Sequence, residues 1–342
     1  MGWNTFYAFG YNISDSLIRQ QAEAMVANGM REAGYVYVNI DDGWQGERDA
    51  QGILHPNSNF PDMQALAAYI HSRGLKFGLY SSIGPKTCGG LIGSYGHEEQ
   101  DAKTLLAWDI DFLKYDLCAL NRSDLLVEDS VGRMSRVLRQ NEKHPIVLSI
   151  VVLKSPWQWA PLLATNMWRI APDFQGTFQD MLGIVDVDAP LAPYADKEHW
   201  NDPDMLQVGH SAMTTDEYRT HMTLWAMLSA PLISSVDLRN IDSTSLSILT
   251  NRDAIAINQD SAAQQATRVQ QGQIDVWVKN LSTGTAIAIV NRSTMSMTYL
   301  VDPSLLHNSS SSQAHEVWTN QTVKLPFTVA LAPHSCVLLK TL

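Results

Sequence analysis

Acidic side chains follow several apolar runs of this chain, at the points where the runs end. Three such segments are Asn39 to Trp44 (NIDDGW), Phe112 to Cys118 (FLKYDLC) and Trp168 to Asp173 (WRIAPD). Carboxylates can act as nucleophiles, as general acids or bases, or as acceptors for hydroxyl groups. Because the carboxyl ends of parallel strands meet at one rim of a barrel, the sequence predicts a polar site on a rigid rim.

Lys114 and Asp116 are two residues apart in the second segment, so they share one face of the predicted strand while Tyr115 packs on the other face. A neighbouring cation favours the ionised carboxylate, which a nucleophilic or charge-stabilising Asp requires at neutral pH. The alternative is an ion pair that only closes the end of the barrel.

Asp41 and Asp42 are adjacent at the end of their strand, followed by Gly43 and Trp44. Two neighbouring acids at a rim suit either a metal ion or the vicinal hydroxyl groups of a sugar, and a solvated acidic turn is the third reading. No His-Glu-x-x-His motif occurs among the ten histidines. Carbohydrate is therefore favoured, and neither a metal nor a cofactor is predicted.

A Pro-containing loop separates Arg169 from Asp173, which allows this second acid to reach across the barrel mouth toward Asp116. Two catalytic carboxyl groups about 5 to 5.5 Å apart give retention through a covalent glycosyl intermediate, and about 6.5 to 9.5 Å gives inversion. The sequence does not fix this distance. A further acid-rich turn, Trp200 to Met205 (WNDPDM), contains Asp204 and Met205.

Cys88 and Cys118 lie at the mouths of neighbouring predicted strands, so a disulfide across the rim is geometrically feasible. Two free thiols are the alternative, and the residues alone leave both open. The segment Gly84 to Gly90 (GPKTCGG) lacks the Lys and Ser/Thr that follow the second glycine of a phosphate-binding loop, which excludes that function.

Short β-branched and aromatic runs alternate with segments of helical period up to about residue 258, and this alternation predicts eight βα units. The predicted strands are Trp3 to Phe9, Tyr35 to Ile40, Lys76 to Ser81, Phe112 to Tyr115, Ile146 to Val151, Met167 to Ile170, a weak one near His199, and Pro231 to Ser235. The predicted helices include Ser14 to Ala33, Met63 to Arg73, Glu98 to Trp108, Leu125 to Gln140, Thr215 to Ser229 and Ser243 to Asn258.

Eight units in about 250 residues match the size of a (β/α)8 TIM barrel, with an open doubly wound sheet as the alternative. From about Gln264 the pattern changes to alternating strands separated by polar turns, which predicts a small antiparallel β-sandwich domain. The predicted fold is therefore α/β, with a catalytic barrel over residues 1–260 and a β domain over residues 261–342.

The overall composition narrows the class of partner. An apolar share of 45% supports a sizeable core, and a formal charge of −11 disfavours nucleic acid as a partner. No apolar run is long enough to predict a membrane span. The compartment stays unknown, with a secreted or periplasmic location favoured, and the oligomeric state stays open, a homo-oligomer included.

Several motifs together resemble glycoside hydrolase family 27, the melibiase or α-galactosidase family, and they occur in the family's order along the whole barrel. They are MGWN at 1–4, IDDGW at 40–44, GLY at 78–80, KTC at 86–88, LKYD at 113–116, WNDPDM at 200–205 and AINQD at 256–260. The resemblance implies a retaining double displacement in which Asp116 is the nucleophile and Asp173 is the general acid/base.

The resemblance also implies roles for the remaining site residues. Lys114 and Arg169 would hold sugar hydroxyl groups, and Asp41 and Asp42 would take those at carbons 4 and 6. The pocket lining would include Tyr80, Asp204 and Met205. The pair Cys88 and Cys118 matches a disulfide of the family.

One segment departs from the family pattern. Residues 149–156 (SIVVLKSP) lack the glutamate with which α-galactosidases of the family read the 2-hydroxyl group, so Lys154 or Ser155 would take that role. A small Val151 would leave room for an acetamido group at carbon 2. Asp42 argues for a sugar that bears a 6-hydroxymethyl group rather than for a β-L-arabinopyranoside.

The predicted function is a retaining exo-glycosidase that removes terminal α-D-galactosyl residues from an oligosaccharide or glycoconjugate. An α-N-acetylgalactosaminidase of the same fold is the near alternative. A galactoside-binding protein without turnover is an alternative from another class, although a protein that only binds sugar does not need both Asp116 and Asp173. A metal-dependent barrel enzyme is the remaining alternative.

Overall fold

A computed structural model describes residues 1–119, 124–305 and 313–341, with residues 124–126 described by their backbone only. The chain divides into two compact units. The first contains residues 1–169 and 232–241, and the second contains residues 170–231 and 242–342. The predicted boundary near residue 260 lies inside the second unit and stays a prediction.

The strands of the described residues are short in the first two thirds of the chain and longer in the last third. They are β1 (Gly2–Asn4), β2 (Tyr37–Asn39), β3 (Gln45–Arg48), β4 (Leu54–Pro56), β5 (Lys76–Ser82), β6 (Phe112–Asp116), β7 (Val147–Val151), β8 (Met167–Arg169), β9 (Trp200–Asp202), β10 (Ile233–Ser234), β11 (Thr267–Gln270), β12 (Ile274–Asn280), β13 (Thr285–Asn291), β14 (Met297–Val301), β15 (Gln313–Glu316), β16 (Gln321–Lys324), β17 (Phe327–Leu331) and β18 (Cys336–Thr341).

The α-helices lie mainly between the first ten strands. They are α1 (Phe6–Phe9), α2 (Asp15–Ala27), α3 (Met63–Ser72), α4 (Glu98–Ala107), α5 (Asp124–Leu138), α6 (Phe178–Asp188), α7 (Thr215–Met227), α8 (Ser243–Leu249) and α9 (Arg252–Asn258). Helix α7 begins with a capping box in which Thr214 and Glu217 satisfy each other's backbone N–H groups. Short 3₁₀ segments follow β7, α6 and β14.

Seven parallel strands form the sheet of the first unit, in the order β10, β1, β2, β5, β6, β7, β8. The register pairs Ser82 with Asp116 and Asp116 with Val151, so the carboxyl ends of β5, β6 and β7 lie level with one another. Large aromatic side chains such as Trp3, Phe77 and Tyr115 are buried around this sheet. A rigid, well-packed sheet therefore holds the residues that follow these strand ends.

The second unit combines β9 and helices α6 to α9 with antiparallel sheets. Six strands lie in the order β11, β12, β13, β18, β15, β16, and β14 pairs with β17. Apolar side chains of these strands form one core, which consists of Ile274, Val276, Val278, Ile287, Ile289, Val301, Ala314, Leu325, Leu331, Val337 and Leu339. This core is what the alternating pattern of the last third of the sequence predicted.

Three predicted elements need correction. The predicted first strand is cut short at Asn4, because the Asn4 side chain accepts a hydrogen bond from Phe6 N and a short helix follows over Phe6–Phe9. The predicted helix over 243–258 is two helices, because the Asn251 side chain accepts from the backbone N–H groups of Asp253 and Ala254 and caps a new start. Helix α2 ends at Ala27, short of the predicted Ala33.

The succession of strands and helices along the chain is that of a (β/α)8 barrel followed by an antiparallel β domain, which confirms the predicted fold class. The hairpin of β3 and β4, which the sequence analysis did not predict, follows β2 and the two acids Asp41 and Asp42 that come after it. In the described part of the chain, every helix is too short or too polar to cross a bilayer.

Candidate active site

Asp116 is the last residue of β6, and its half-buried carboxylate is held at both oxygens. Oδ1 accepts a hydrogen bond from the backbone N–H of Leu117 at 2.7 Å, and Oδ2 accepts one from the hydroxyl group of Tyr80 at 3.0 Å. Tyr80 comes from the neighbouring strand β5 and is itself buried. Both donors belong to the sheet framework, so the carboxylate has a fixed orientation.

The electrostatic environment of Asp116 contains opposing effects. Burial raises the pKa of the Asp116 carboxyl above its ordinary value, while the charge of Lys114 and the hydrogen bonds from Tyr80 and Leu117 lower this pKa. Burial is the larger effect. Lys114 therefore favours the ionised form as the sequence indicated, but it does not outweigh desolvation.

Asp41 is the direct ion-pair partner of Lys114. Its Oδ2 accepts hydrogen bonds from Lys114 Nζ and from Asn4 Nδ2, both at 2.8 Å, and only 2% of the Asp41 side chain is exposed. Its Oδ1 accepts from the backbone N–H of Asp42 at 2.9 Å. The carboxylate thus bridges the ends of β1, β2 and β6, and it orients the Lys114 ammonium group near Asp116.

Asp42 is buried beside Asp41 and is held by the loop that follows β5. Its Oδ2 accepts a hydrogen bond from the backbone N–H of Gly89 at 2.7 Å, and the Thr87 side chain adds another. Its Oδ1 has no hydrogen-bond partner among the described residues. Burial, together with the negative charge of Asp41, raises the pKa of the Asp42 carboxyl.

Gly89 has to be a glycine because the loop approaches Asp42 so closely. A Cβ atom at this position would lie 2.5 Å from Cε1 of Tyr11 and 2.9 Å from Oδ2 of Asp42. Either contact is shorter than van der Waals packing allows. The loop can therefore place its N–H against the carboxylate only without a side chain.

A disulfide joins Cys88 to Cys118, with their Cα atoms 5.1 Å apart, which confirms the predicted pairing. It ties the loop after β5 to the segment after β6. The Cys88 sulfur lies 3.7 Å from Oδ2 of Asp116, and the Cys118 sulfur lies 3.6 Å from the Tyr80 hydroxyl group. Both sulfurs lack a proton and thiolate character in the disulfide, so they border Asp116 as an apolar surface and are not metal ligands.

Aromatic rings border the Lys114 ammonium group. Nζ lies 5.5 Å from the centroid of the Tyr80 ring and 5.7 Å from that of Phe6, both within cation–π range. The Trp44 indole donates to the backbone carbonyl of Tyr80 at 2.8 Å and fixes the end of β5. The polar groups therefore lie between apolar side chains, an arrangement typical of small-molecule sites.

The remaining predicted residues of the first unit lie at the ends of β7 and β8. Arg169 is the last residue of β8 and is buried. Val151, the register partner of Asp116, is half-buried, and Leu153 after it is 51% exposed. Ser155 has a left-handed backbone with φ 47°, so the chain turns sharply there into a 3₁₀ segment.

The second unit carries the other predicted residues, Asp173, Asp204 and Met205. Asp173 is exposed in the segment between β8 and α6. Asp204 and Met205 are both buried. Each carboxylate oxygen of Asp204 accepts a hydrogen bond from a backbone N–H group: Oδ2 from Phe174 at 2.9 Å and Oδ1 from Met205 at 2.8 Å. The predicted pocket-lining role of Asp204 stays a prediction, because these contacts are internal.

Five residues that support this site were not singled out from the sequence: Asn4, Thr5, Phe6, Thr87 and Gly89. Asn4 and Thr87 belong to the motifs at 1–4 and 86–88, but the motifs alone indicate no role for either, although an amide at a strand end is a signal comparable to the acids. Thr5 Oγ1 accepts from the backbone N–H of Asp41 at 3.0 Å. Thr87 and Gly89 hold Asp42 from the loop after β5, and Phe6 borders Lys114 from α1; no local pattern indicates these contacts.

A parallel barrel with carboxylates fixed at its strand ends, followed by a β domain, defines a class of barrel enzymes that hydrolyse glycosides. The family model described as "Alpha galactosidase A" matches residues 10–260, and the model described as "Alpha galactosidase C-terminal beta sandwich domain" matches residues 271–341. The chain belongs to glycoside hydrolase family 27, the melibiase or α-galactosidase family, and is a glycoside hydrolase.

Individual relatives agree with this assignment. The chain is 39% identical to "Alpha-galactosidase A" of Cellvibrio japonicus over 93% of this chain and 82% of the relative. It is 39% identical to "Alpha-galactosidase 2" of Arabidopsis thaliana over 98% of this chain and 87% of the relative. The crystal structure of α-galactosidase I from Mortierella vinacea superposes with a TM-score of 0.91 at 32% identity, covering 100% of this chain and 96% of that one.

Proposed function

We propose that this chain is a retaining exo-α-galactosidase that hydrolyses terminal α-D-galactosyl residues of oligosaccharides or glycoconjugates. The observation that carries the proposal is the orientation of the Asp116 carboxylate by Tyr80 and Leu117, beside the buried Asp41–Lys114 ion pair. A fixed carboxylate beside hydroxyl-binding groups suits attack at the anomeric carbon of a bound sugar.

In the first step, Asp116 attacks carbon 1 and forms a covalent galactosyl ester. The bond between carbon 1 and the glycosidic oxygen breaks, and Asp173 gives its proton to that oxygen so that the aglycone leaves as an alcohol. The exposed position of Asp173 suits this role, because the departing group has to lie toward solvent in an enzyme that removes terminal residues.

In the second step, Asp173 accepts a proton from a water molecule, whose oxygen attacks carbon 1 and displaces Asp116. Two inversions at one carbon give net retention. Asp116 has to be ionised at the start of the cycle, and the Lys114 charge and the Tyr80 hydrogen bond favour that form. The same two interactions stabilise the carboxylate that leaves carbon 1 in the second step, so they favour departure of Asp116 there as well.

Sugar recognition would rest mainly on the two buried acids. Asp41 and Asp42 would accept hydrogen bonds from the hydroxyl groups at carbons 4 and 6, and the Oδ1 atom of Asp42 has acceptor capacity that no described residue uses. Lys114 and Arg169 would donate to sugar hydroxyl groups, and Met205 would line the pocket. Names of relatives matched over most of their length support galactose as the sugar.

A second candidate is an α-N-acetylgalactosaminidase acting by the same two steps. The end of β7 favours it, because the side chains there are the apolar Val151, level with Asp116, and the half-exposed Leu153. An apolar surface suits the methyl group of an acetamido substituent better than it suits a 2-hydroxyl group. Lys154 or Ser155 would have to supply a polar contact if the sugar is galactose.

The proposal is tested by measuring hydrolysis of nitrophenyl α-galactoside, nitrophenyl α-N-acetylgalactosaminide and nitrophenyl β-L-arabinopyranoside side by side. Asp116→Ala serves as the control for turnover at this site, with its folding checked by circular dichroism. Proton NMR of the first sugar released gives its anomeric configuration. We expect the galactoside to be preferred, α-galactose to form first and Asp116→Ala to be inactive.

Each alternative has its own result. Preference for the acetamido sugar would select the second candidate, and β-galactose as the first product would exclude the double displacement. Near-normal activity of Asp116→Ala would exclude Asp116 as the nucleophile. Binding of galactose without turnover of any substrate would favour a galactoside-binding protein.

A further inference from the structure

The Asp173 loop, residues 170–177, joins β8 to α6 and is tied to the body of the second unit through Phe174. The backbone N–H of Phe174 donates to Oδ2 of Asp204 at 2.9 Å, and its backbone carbonyl accepts from Nε2 of Gln207 at 2.8 Å. Phe174 directly follows Asp173 in sequence. Fixing both peptide groups of Phe174 therefore limits the positions that the Asp173 backbone can take.

The Phe174 side chain is held as firmly as its backbone. Its ring is buried, lies 5.1 Å from the His221 ring in an edge-on arrangement and lies 6.3 Å from the Trp225 ring. His221 is fully buried, and burial lowers its pKa to about 3, so it packs as a neutral ring. This aromatic cluster on α7 is a rigid support for one end of the loop.

The Asp204 carboxylate accepts hydrogen bonds from backbone N–H groups. Besides Phe174 N, it accepts from the N–H of Met205 at 2.8 Å through Oδ1, and the backbone carbonyl of Asp204 accepts from the Trp225 indole at 2.8 Å. Its side chain is only 3% exposed, and its backbone has φ 85°, a left-handed conformation that costs a non-glycine residue energy. Both carboxylate oxygens are used for N–H groups, one of which belongs to the loop.

The far end of the loop is also closely fitted. Gly176 has φ 76°, and a Cβ atom there would lie 2.7 Å from Oε1 of Gln207 and 3.0 Å from Cβ of Ser211. Gln207 therefore contacts the loop on both sides of Gln175. The segment that carries Asp173 has little freedom at Phe174 or at Gly176.

We propose that Asp204 is a positioning residue for the acid/base Asp173, acting through its hydrogen bond to the backbone of Phe174. This inference rests on the proposed function, because it assumes that Asp173 protonates the leaving group. It gives Asp204 a role other than lining the sugar pocket: the carboxylate sets the place from which Asp173 reaches the glycosidic oxygen.

Asp204→Asn is the variant that tests the proposal. Asparagine tolerates the left-handed backbone and keeps one acceptor oxygen, but its amide NH₂ group would face one of the two backbone N–H groups and lose that bond. The matched control is Asp242→Asn, which makes the same change at a carboxylate that accepts from the backbone N–H groups of Thr244 and Ser245 in the same unit. Asp242 caps α8 and has no hydrogen bond to the loop.

The measurement is kcat/KM for two substrates that differ in their need for an acid. A nitrophenyl galactoside releases a stable phenolate and needs little protonation, whereas melibiose releases a sugar alcohol and needs an acid. We expect Asp204→Asn to lower kcat/KM for melibiose about tenfold to a hundredfold, since a misplacement of about 1 Å costs that much. For the nitrophenyl substrate we expect a loss of less than about threefold, and no change for Asp242→Asn with either substrate.

Combination with Asp173→Ala separates positioning from a general structural effect. Once Asp173 is removed, Asp204→Asn should cause little additional loss with melibiose. Equal losses for both substrates in the single variant, or additive losses in the double variant, would overturn the positioning role. Failure of the proposed function looks different: Asp173→Ala itself would then show no selective loss with melibiose.

Gln207→Met keeps the proposal testable if Asp204→Asn does not fold. It removes only the hydrogen bond to the Phe174 carbonyl and keeps a side chain of similar length. A selective loss with melibiose, smaller than that of Asp173→Ala, is the expected result. An unchanged ratio of the two kcat/KM values, with the fold intact by circular dichroism, would show that fixing Phe174 does not matter to the acid.

Discussion

Two buried ionisable groups of the second unit, Lys279 and Asp188, have surroundings unlike those of the buried acids at the strand ends of the first unit. In the first unit, the buried Asp41 carboxylate pairs with the Lys114 ammonium group at 2.8 Å, and Asp116 lies within the influence of the same cation. Charges there are stabilised by opposite charge and by oriented donors. These interactions offset the free-energy cost of desolvating the charged groups, and they do so at the site where the reaction needs a charged carboxylate.

In the second unit, Lys279 and Asp188 are buried, and the side chains and backbone groups that hydrogen-bond to them are neutral. Lys279 Nζ donates to the carbonyl of Ala226 at 2.9 Å and to the hydroxyl group of Ser229 at 2.8 Å, and burial lowers its pKa to about 7. Asp188 Oδ1 accepts from Gln265 at 3.0 Å, and burial raises its pKa to about 7. Both groups are driven toward their neutral forms.

Buried charge therefore serves function at Asp116, whereas burial at Lys279 and Asp188 favours the neutral form. A neutral amine has two N–H groups to donate, and Lys279 Nζ faces two acceptors, so both of its donors are used without a direct ion pair. Asp116 cannot be neutral and attack a sugar, so its surroundings have to hold it ionised. Removing the charge of Asp116 should therefore abolish activity, whereas replacing Lys279 or Asp188 should change only stability.

The largest expected effect is that of Asp116→Asn. The amide has nearly the shape of the carboxylate but is not a nucleophile, so kcat should fall about 10⁴-fold or more. The melting temperature should stay the same or rise, because a group that burial disfavours in its charged form has been replaced by a neutral one. Measurement of kcat and thermal unfolding on the same preparation checks both statements. A large drop in melting temperature would mean that the Asp116 charge is needed for the fold.

Lys114→Met should shift the pH dependence of activity. The Lys114 charge lowers the pKa of Asp116, so its removal raises that pKa and the ionised nucleophile is lost at a higher pH. The acidic limb of the kcat/KM profile should move up by about 1 pH unit. Sugar binding should weaken too, because Asp41 loses its ion-pair partner.

Lys76→Met is the matched control for this shift. It removes the same charge from an exposed position at the start of β5, where the ammonium group lies over the Tyr37 ring. Its profile should keep the position of the acidic limb. An unmoved limb in Lys114→Met would contradict the view that paired charge controls Asp116.

The sequence predicts those features of the site that follow from local strand geometry. It does not predict which residues pair when they are far apart in sequence. Tyr80 was indicated only by the family resemblance. Period-two alternation placed Lys114 and Asp116 on one face of β6, and strand-end position brought Asp41 and Asp42 to the same rim. These are consequences of strand geometry, which a local pattern contains. The direct partner of Lys114 was not predictable, because Asp41 is brought to it by sheet order rather than by sequence spacing.

The errors have a similar origin. Asn4 ends β1 by accepting from Phe6 N, a capping interaction that the apolar character of Phe6 to Phe9 concealed. Asn251 is a residue type that favours helix N-caps, and it divides the helical pattern over 243–258 into two helices. The role of Asp204 depends on an N–H group 30 residues away. Which carboxylate accepts a hydrogen bond from which backbone N–H group is seen only in the folded chain.

Lys279→Met should reduce the increase of the free energy of unfolding with rising pH. The folded-state pKa of Lys279 is lowered from 10.5 to about 7, so between these values the unfolded chain binds a proton that the folded chain does not. Stability from this group therefore rises with pH across that window, by up to about 1.4 kcal/mol per pH unit. Urea unfolding of wild type and variant from pH 7 to 10 measures the difference.

Both groups that accept from Lys279 keep another hydrogen bond in the variant. The Ala226 carbonyl also accepts from the N–H at the C-terminal cap of α7, and the Ser229 hydroxyl group donates to the Gln264 carbonyl. Lys324→Met, at an exposed position of β16, is the control and should preserve the wild-type slope. Activity should be unchanged in both variants. An unaltered slope in Lys279→Met would mean that this amine is charged in the folded protein.

Asp188→Asn should produce a slightly smaller effect of opposite sign. The folded-state pKa is raised from 3.8 to about 7, so the folded chain keeps a proton that the unfolded chain releases between these values. Stability from Asp188 is fully present below pH 3.8 and is lost as pH rises toward 7. The asparagine variant keeps the acceptor for Gln265, and its free energy of unfolding should not show this decline. The free energies of unfolding of wild type and variant, measured with urea, should therefore diverge as pH rises from 4 to 7. If they stay parallel, Asp188 is ionised in the folded state despite its burial, and the contrast with the first unit fails at this residue.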